Sequence, residues 1–154
     1  MINLLRTDSD NADFCELVAL LDADLAIRDG DEHSFYAQFN KIDKIRHVVV
    51  AYENEKAVGC GAIKEYKKNV AEIKRMFVRE NERGRGIAKL ILAELETWAW
   101  ELAFSECVLE TGVKQPEAIA LYSKNGYGII PNYGQYAGVE NSVCMKKSIE
   151  NLIK

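Results

Sequence analysis

Proline is almost missing from this chain, with two residues in 154, and glycine contributes only ten. No proline-rich tract, flexible linker, low-complexity segment or repeat is visible, so residues 1–154 read as a single domain. Long apolar runs are missing too, and none approaches the ~20 residues of a membrane-spanning helix. The N-terminal stretch Met1–Arg6 reaches Asp8 and Asp10 too soon for a secretory signal. Cys15, Cys60, Cys107 and Cys144 form no C-x-x-C pair and read as reduced, mostly buried thiols. His33 and His47 lie far apart without partners at ligand spacing, so no metal site is expected. An excess of positive charge is lacking as well: the net charge is −4. That excludes a general nucleic-acid binder and suits a cationic substrate. The expected location is the cytoplasm, with no membrane partner.

What is present is a globular balance of 48% hydrophobic and 29% charged residues, enough for one sizeable core. Asp10 can cap a helix that has Asp13 in its first turn and Phe14, Leu17, Val18, Leu21 and Leu25 at helical spacing. The charged stretch from Arg28 to Glu32 breaks that helix, and Ser34 can cap a second short one to about Asn40. Strands are expected over His47–Tyr52, Ala57–Tyr66 and Val70–Val78, with turns at 53–56 and 67–69, as an antiparallel meander. A long helix follows from Gly86, with Ile87, Leu90, Ile91, Leu95, Trp98 and Leu102 on one stripe. Cys107–Glu110 is a short buried strand, Pro116 opens another helix, Asn125-Gly126 ends it, and two strands close the chain near Met145. The crossover from Val70 to Glu110 makes its two strands parallel neighbours. The fold class is therefore mixed α/β.

The chemistry concentrates in Arg83-Gly84-Arg85-Gly86-Ile87-Ala88-Lys89, between a strand and a helix N-terminus. First-turn N–H groups and the helix dipole favour an anion, glycines allow close approach, and Arg83, Arg85 and Lys89 add charge for a polyanion such as a pyrophosphate. A Walker loop, G-x-x-x-x-G-K-[ST], is absent. A dinucleotide fingerprint would need a third glycine where Lys89 stands, and an antiparallel meander precedes the motif. A basic loop capping a surface helix is the plainer alternative.

Arg83 to Ala88 matches the Q/R-x-x-G-x-G/A signature of the GCN5-related N-acetyltransferases (GNAT), and the chain resembles that family over nearly its whole length. Ala118-Ile119-Ala120-Leu121-Tyr122-Ser123-Lys124-Asn125-Gly126-Tyr127 resembles the family's A-x-x-L-Y-x-x-x-G-[FY] motif, about 35 residues downstream and in the right order. The resemblance implies a single-domain GNAT fold with a mixed sheet whose parallel pair splays around coenzyme A. It implies acetyl-CoA as co-substrate, no metal, and a homodimer as a common assembly. Arg83, Gly84, Arg85, Gly86, Ile87, Ala88 and Lys89 would hold the pyrophosphate. Met76, Phe77 and Val78 would pair with the pantetheine arm like an added strand, with the Met76 N–H polarising the thioester carbonyl. Tyr122 would protonate the departing thiolate; the plainer reading is a half-buried core tyrosine. Gln115 stands where many relatives carry an asparagine that contacts the pantetheine.

An amine acceptor must lose a proton before it attacks, since an ammonium resembling that of lysine titrates near pH 10.4. Glu72 stands where histone-acetylating relatives carry their catalytic glutamate; Glu110, or backbone carbonyls with water, are alternatives, and a solvated strand carboxylate is the plainer reading. Strand alternation would put Glu72, Lys74, Met76 and Val78 on one face. Acceptor-site candidates are Asp24, Arg28, Glu32, His33, Tyr36, Tyr133 and Tyr136, with Arg28 suited to a substrate carboxylate. Tyr133-Gly134-Gln135-Tyr136 suggests a shaped loop. Cys144 has no histidine positioned by sequence to activate it. The expected activity is direct acetyl transfer to a small or amino-acid-like amine, ranked above a protein N-terminus or lysine. A non-catalytic acyl-CoA-binding module and a dehydrogenase fragment are the rivals.

Overall fold

The computed structural model of the protein describes residues 1–29 and 44–150. The short helix expected from Ser34 to about Asn40 lies outside them. Seven strands form one open sheet in the order β1-β2-β3-β4-β5-β7-β6. They span Ile2–Thr7 (β1), His47–Glu53 (β2), Lys56–Lys67 (β3), Val70–Val78 (β4), Glu106–Gly112 (β5), Gly128–Ile130 (β6) and Ser142–Ser148 (β7). The α-helices among the described residues are α1 (Ala12–Asp29), α2 (Ile87–Glu101) and α3 (Pro116–Lys124). Two compact units divide the chain: Met1–Lys64 with Lys74–Leu95, and Glu65–Ile73 with Glu96–Lys154. Strand β4 and helix α2 run through both.

In the first unit, β2 and β3 pair antiparallel through a turn in which Asn54 and Glu55 have φ of 50° and 67°. Two successive positive values match the twist of a tight hairpin. Two residues, Lys68 and Asn69, join β3 to its neighbour β4, too few for a parallel crossover, so the expected meander is present. The run Val48–Ala51 is fully buried because both faces of β2 are covered. Phe14, Leu17 and Val18 of α1 pack with Val48, Val50, Cys60, Ala62 and Phe77.

Three sequence expectations need correction here. Strand β1 was not foreseen; it pairs antiparallel with β2 from Ile2↔Glu53 to Thr7↔Val48, and its half-exposed residues leave only a weak alternation. The α1 cap is Asn11, not Asp10: Asn11 Oδ1 accepts the Phe14 N–H at 2.9 Å, while the Asp10 N–H donates to Asp8 Oδ1. On α2 the buried stripe is Ile87, Ile91, Leu92, Leu95, Glu96 and Ala99, whereas Leu90 and Leu102 are exposed.

In the second unit, β4 pairs parallel with β5 from Val70↔Glu106 to Glu72↔Val108, as the crossover rule required. Strand β7 pairs antiparallel with both β5 and β6. A buried ionic group anchors this unit. Tyr127 Oη donates to Glu96 Oε2 at 2.8 Å, and Lys147 Nζ donates to Glu96 Oε1 at 2.9 Å. Both carboxylate oxygens are thus engaged, the condition under which a buried charge is tolerated.

The expectation of buried thiols holds for Cys60, Cys107 and Cys144, but Cys15 is exposed; none of the four is in a disulfide. Burial pushes the Cys60 and Cys107 thiols up to about 12, so both stay protonated at neutral pH.

Gly59 and Gly61 of β3 have a packing reason. A Cβ on Gly59 would come 2.9 Å from the Phe77 carbonyl oxygen and 3.0 Å from Ile91 Cδ1. A backbone oxygen cannot swing aside as a side-chain tip can. Gly59→Ala is therefore expected to lower stability by about 1–3 kcal/mol. The reading is a reduced urea midpoint at constant slope; an unchanged midpoint would show that the glycine does not set this spacing.

Candidate active site

Strand β4 carries the candidates Glu72, Met76, Phe77 and Val78 and is not regular. Its ladder with β5 runs from Val70 to Glu72, although β4 continues to Val78. Three residues beyond that ladder, Arg75 takes φ 61°, a left-handed value that a non-glycine residue adopts at a cost of about 1–3 kcal/mol. Its carbonyl accepts the Cys60 thiol at 3.3 Å.

The irregularity resets the alternation, so the expectation of one shared face for Glu72, Lys74, Met76 and Val78 fails. Ala71 is the register partner of Cys107, whose thiol lies in the field of Glu96 on α2. Ala71 thus faces α2 and Glu72 faces away. Beyond Arg75, Met76 and Val78 turn toward Gly61, Gly59 and Ile91, while Phe77 joins the cluster with α1. The Arg75 side chain, which sequence reading did not single out, is 3% exposed, with Nη1 3.5 Å from Asp22 Oδ1.

After β4 a short 3-10 turn over Glu80–Glu82 leads to Gly84 and Gly86, at φ 81° and 80°. Only glycine holds such values without penalty. The Gly86 carbonyl accepts the Leu90 N–H at 3.1 Å, so Gly86 caps α2, which opens at Ile87. A Cβ on either glycine would meet nothing within 4 Å. Open space therefore lies over a turn that ends at a helix N-terminus, and Ala88 and the exposed Lys89 follow in the first turn. This arrangement fits a diphosphate held by backbone N–H groups.

The two arginines of the motif are engaged with the protein. Arg83 Nε donates to the Val78 carbonyl at 2.8 Å, and its guanidinium lies 5.5 Å from the Phe77 ring centroid and 3.6 Å from Asp24. Arg85 grips Glu53 with both terminal nitrogens, at 2.9 and 2.5 Å, and reaches Glu82 at 2.8 Å. These hydrogen bonds hold the Glu53 carboxyl below its usual range. Arg85 thus ties the turn to the β2–β3 hairpin. Sequence reading missed Glu53 and Glu82, since neither lies in a motif; their proximity follows only from the pairing of the hairpin.

The second unit holds the proton-handling candidates. Tyr122 on α3 is 7% exposed, and burial, with the negative charge of Glu110 second, drives its hydroxyl well above the usual tyrosine range. Its ring meets Tyr127 edge-on at 5.8 Å. Gln115 caps α3 through its carbonyl, which accepts the N–H groups of Ala118 and Ile119 at 3.1 and 3.2 Å. Glu72 is 8% exposed, and its Oε2 accepts the Tyr133 hydroxyl at 2.6 Å. Tyr136 is buried and in the field of Glu110 and Glu72. Burial also raises the Cys144 thiol. Arg28 belongs to α1, its side chain outside the described residues, as are Glu32, His33 and Tyr36. Among the described residues, no group of three or more metal-ligating side chains occurs, and no helix is long and apolar enough to cross a membrane.

The model of the acetyltransferase (GNAT) family matches residues 14–127. The chain is 37% identical over 102 residues to an IAA acetyltransferase of Azospirillum brasilense, covering 66% of this chain and 67% of the other. Among solved structures, one described as an acyl-CoA N-acyltransferase from Klebsiella pneumoniae superposes with a TM-score of 0.81 at 30% identity, covering 97% and 98% of the two chains. The PaiA N-acetyltransferase of Thermoplasma acidophilum, in complex with coenzyme A, shares the fold with a TM-score of 0.70 at 17% identity over 96% and 99%. This chain belongs to the GNAT family and is an N-acetyltransferase with the fold of that family.

Glu53→Gln removes the bidentate partner that steadies Arg85 in the turn. It is expected to weaken coenzyme A binding severalfold in calorimetry while the unfolding midpoint stays nearly constant. Tighter binding would mean that Glu53 competes with phosphate for Arg85.

Proposed function

We propose that residues 1–154 form one N-acetyltransferase domain that moves acetyl from acetyl-CoA to the amine of a small, amino-acid-like acceptor, by direct attack with both substrates bound. The observation that carries this reading is the turn at Gly84 and Gly86, two left-handed glycines at the start of α2 with open space above them. Acetyl-CoA supplies the activated thioester. The backbone from Gly84 to Lys89 holds its diphosphate, and Met76–Val78, beyond the β4–β5 ladder, offers backbone groups to the pantetheine arm. The Met76 N–H stabilises negative charge on the thioester oxygen, and Gln115 extends the pantetheine contacts.

The acceptor nitrogen bonds to the acetyl carbon, the carbon–sulfur bond breaks with its electron pair going to sulfur, and the amine loses a proton. Glu72 is the group proposed to take that proton, directly or through water. Tyr122 is proposed to act at sulfur. Its raised hydroxyl arrives protonated, as a donor must. A thiol is ordinarily the stronger acid, near 8.5 against about 10 for tyrosine. Tyr122 therefore works chiefly by donating a hydrogen bond as charge develops on sulfur. Tyr136 and Arg28 remain acceptor-binding proposals. The cytoplasm and a homodimeric assembly complete the reading.

The decisive measurement is thiol release from acetyl-CoA over a panel of amino acids, amino-acid amides, polyamines and arylalkylamines. Turnover with a small amine is expected. Tight coenzyme A binding without turnover for any amine would leave a binding module instead. Tyr122→Phe is expected to lower kcat about tenfold or more with little change in coenzyme affinity. Unchanged turnover would remove Tyr122 from the reaction.

A further inference from the structure

Tyr133, one of the acceptor-site candidates, directs its hydroxyl at Glu72. It donates to Glu72 Oε2 at 2.6 Å. We propose that Tyr133 is a positioning residue for Glu72, fixing the carboxylate in the orientation from which it accepts the proton of the amine. This inference rests on the reading of Glu72 as the general base.

The loop that presents Tyr133 is braced from within. Asn132 Nδ2 donates to the carbonyls of Val139 and Ser142, at 2.8 and 3.1 Å, and pins the base of the loop. The Tyr136 N–H donates to the Tyr133 carbonyl at 2.9 Å, and the Val139 N–H to the Tyr136 carbonyl at 3.0 Å. The Tyr133 ring meets Tyr66 edge-on at 4.8 Å and Tyr136 at 5.9 Å, so neighbours on two sides limit its rotation. Gly134 sits at φ 53°, and a Cβ there would lie 3.4 Å from the Tyr66 hydroxyl. The loop thus holds a hydroxyl at a fixed place beside β4.

A glutamate side chain loses considerable rotamer freedom when it is held in one orientation. A general base must nevertheless lie within hydrogen-bond reach of the proton it removes, and small misplacements are costly. A carboxylate has about four acceptor sites on two oxygens, and the Tyr133 hydroxyl fixes one of them on Oε2. The direction of the bond also suits the task. Burial, with the charge of Glu72 second, raises the Tyr133 hydroxyl, so Tyr133 keeps its proton and Glu72 remains the acceptor.

The test is a double-mutant cycle with Tyr133→Phe and Glu72→Gln, using acetyl-CoA and the most active amine of the panel above. Phe keeps the ring contacts, and the thermal midpoint reports whether the fold is retained. Tyr133→Phe is expected to lower kcat about tenfold, to leave the KM for acetyl-CoA within about twofold, and to have no further effect in the Glu72→Gln background. Equal losses in both backgrounds would show that Tyr133 acts independently of Glu72 and would overturn the inference, as would wild-type kcat in Tyr133→Phe. Wild-type turnover in Glu72→Gln would instead overturn the reading of Glu72 as the base, and this inference with it.

Discussion

Strand β4 cannot be regular along its length, and most of the candidate chemistry depends on that constraint. Its first residues are held in a ladder with β5. Three positions later Arg75 takes a left-handed conformation, and the strand presents different faces before and after it. A uniform strand would send Glu72 and Met76 to the same side. The irregular one sends Glu72 away from α2, where the Tyr133 hydroxyl meets it, and sends Met76 toward α2, against Gly61 and Leu95. One residue in a strained conformation thereby divides β4 into two stretches of opposite alternation within nine residues of chain.

The glycine turn repeats the lesson at the next step. Its motif reads as a cluster of positive charge, yet the structure gives the arginines to the protein. Arg83 folds back over the end of β4, and Arg85 clips the turn to the β2–β3 hairpin. Beside them lies backbone suited to an anion: two glycines that hold left-handed angles and the opening turn of α2. Helix N–H groups are fixed in place and pay no side-chain entropy on binding, so a cradle of this kind is pre-organised. The arginines, through these contacts, brace the turn that would form it.

How much of this was legible beforehand follows from where the information resides. Strand β2 and helix α3 were placed closely, because a β-branched run and a proline followed by an amphipathic turn are local signals. The parallel β4–β5 pair followed from connectivity. Strand β1 was missed because Leu5 is 44% exposed, so an edge strand left no clean alternation. Leu90 and Leu102 fit a helical stripe by spacing but face outward, since spacing alone cannot say where the stripe ends. The face shared by Glu72, Met76 and Val78 was wrongly expected because a left-handed arginine has no sequence signature. The pairings Glu53–Arg85, Glu96–Lys147 and Glu72–Tyr133 join residues 32, 51 and 61 positions apart, and only the fold brings them together.

Proton ownership in the second unit follows from burial. Tyr122, Tyr127, Tyr133 and Tyr136 are all pushed upward, chiefly by desolvation, and the Cys107 thiol rises to about 12. Each of these groups holds its proton more firmly than it would in water, and none offers a lone pair as a base at neutral pH. Both oxygens of Glu96 are already engaged, by Tyr127 and Lys147. Around Tyr122 and Tyr133, the acidic side chains that these tyrosines sense are Glu110 and Glu72. Under the proposed reaction, a proton leaving the amine would go to a carboxylate or to water, while the tyrosines keep theirs and act as hydrogen-bond donors. Such a division between groups that keep protons and groups that take them suits amine acylation, because nitrogen must lose a proton while the charge developing on sulfur calls for a hydrogen-bond donor.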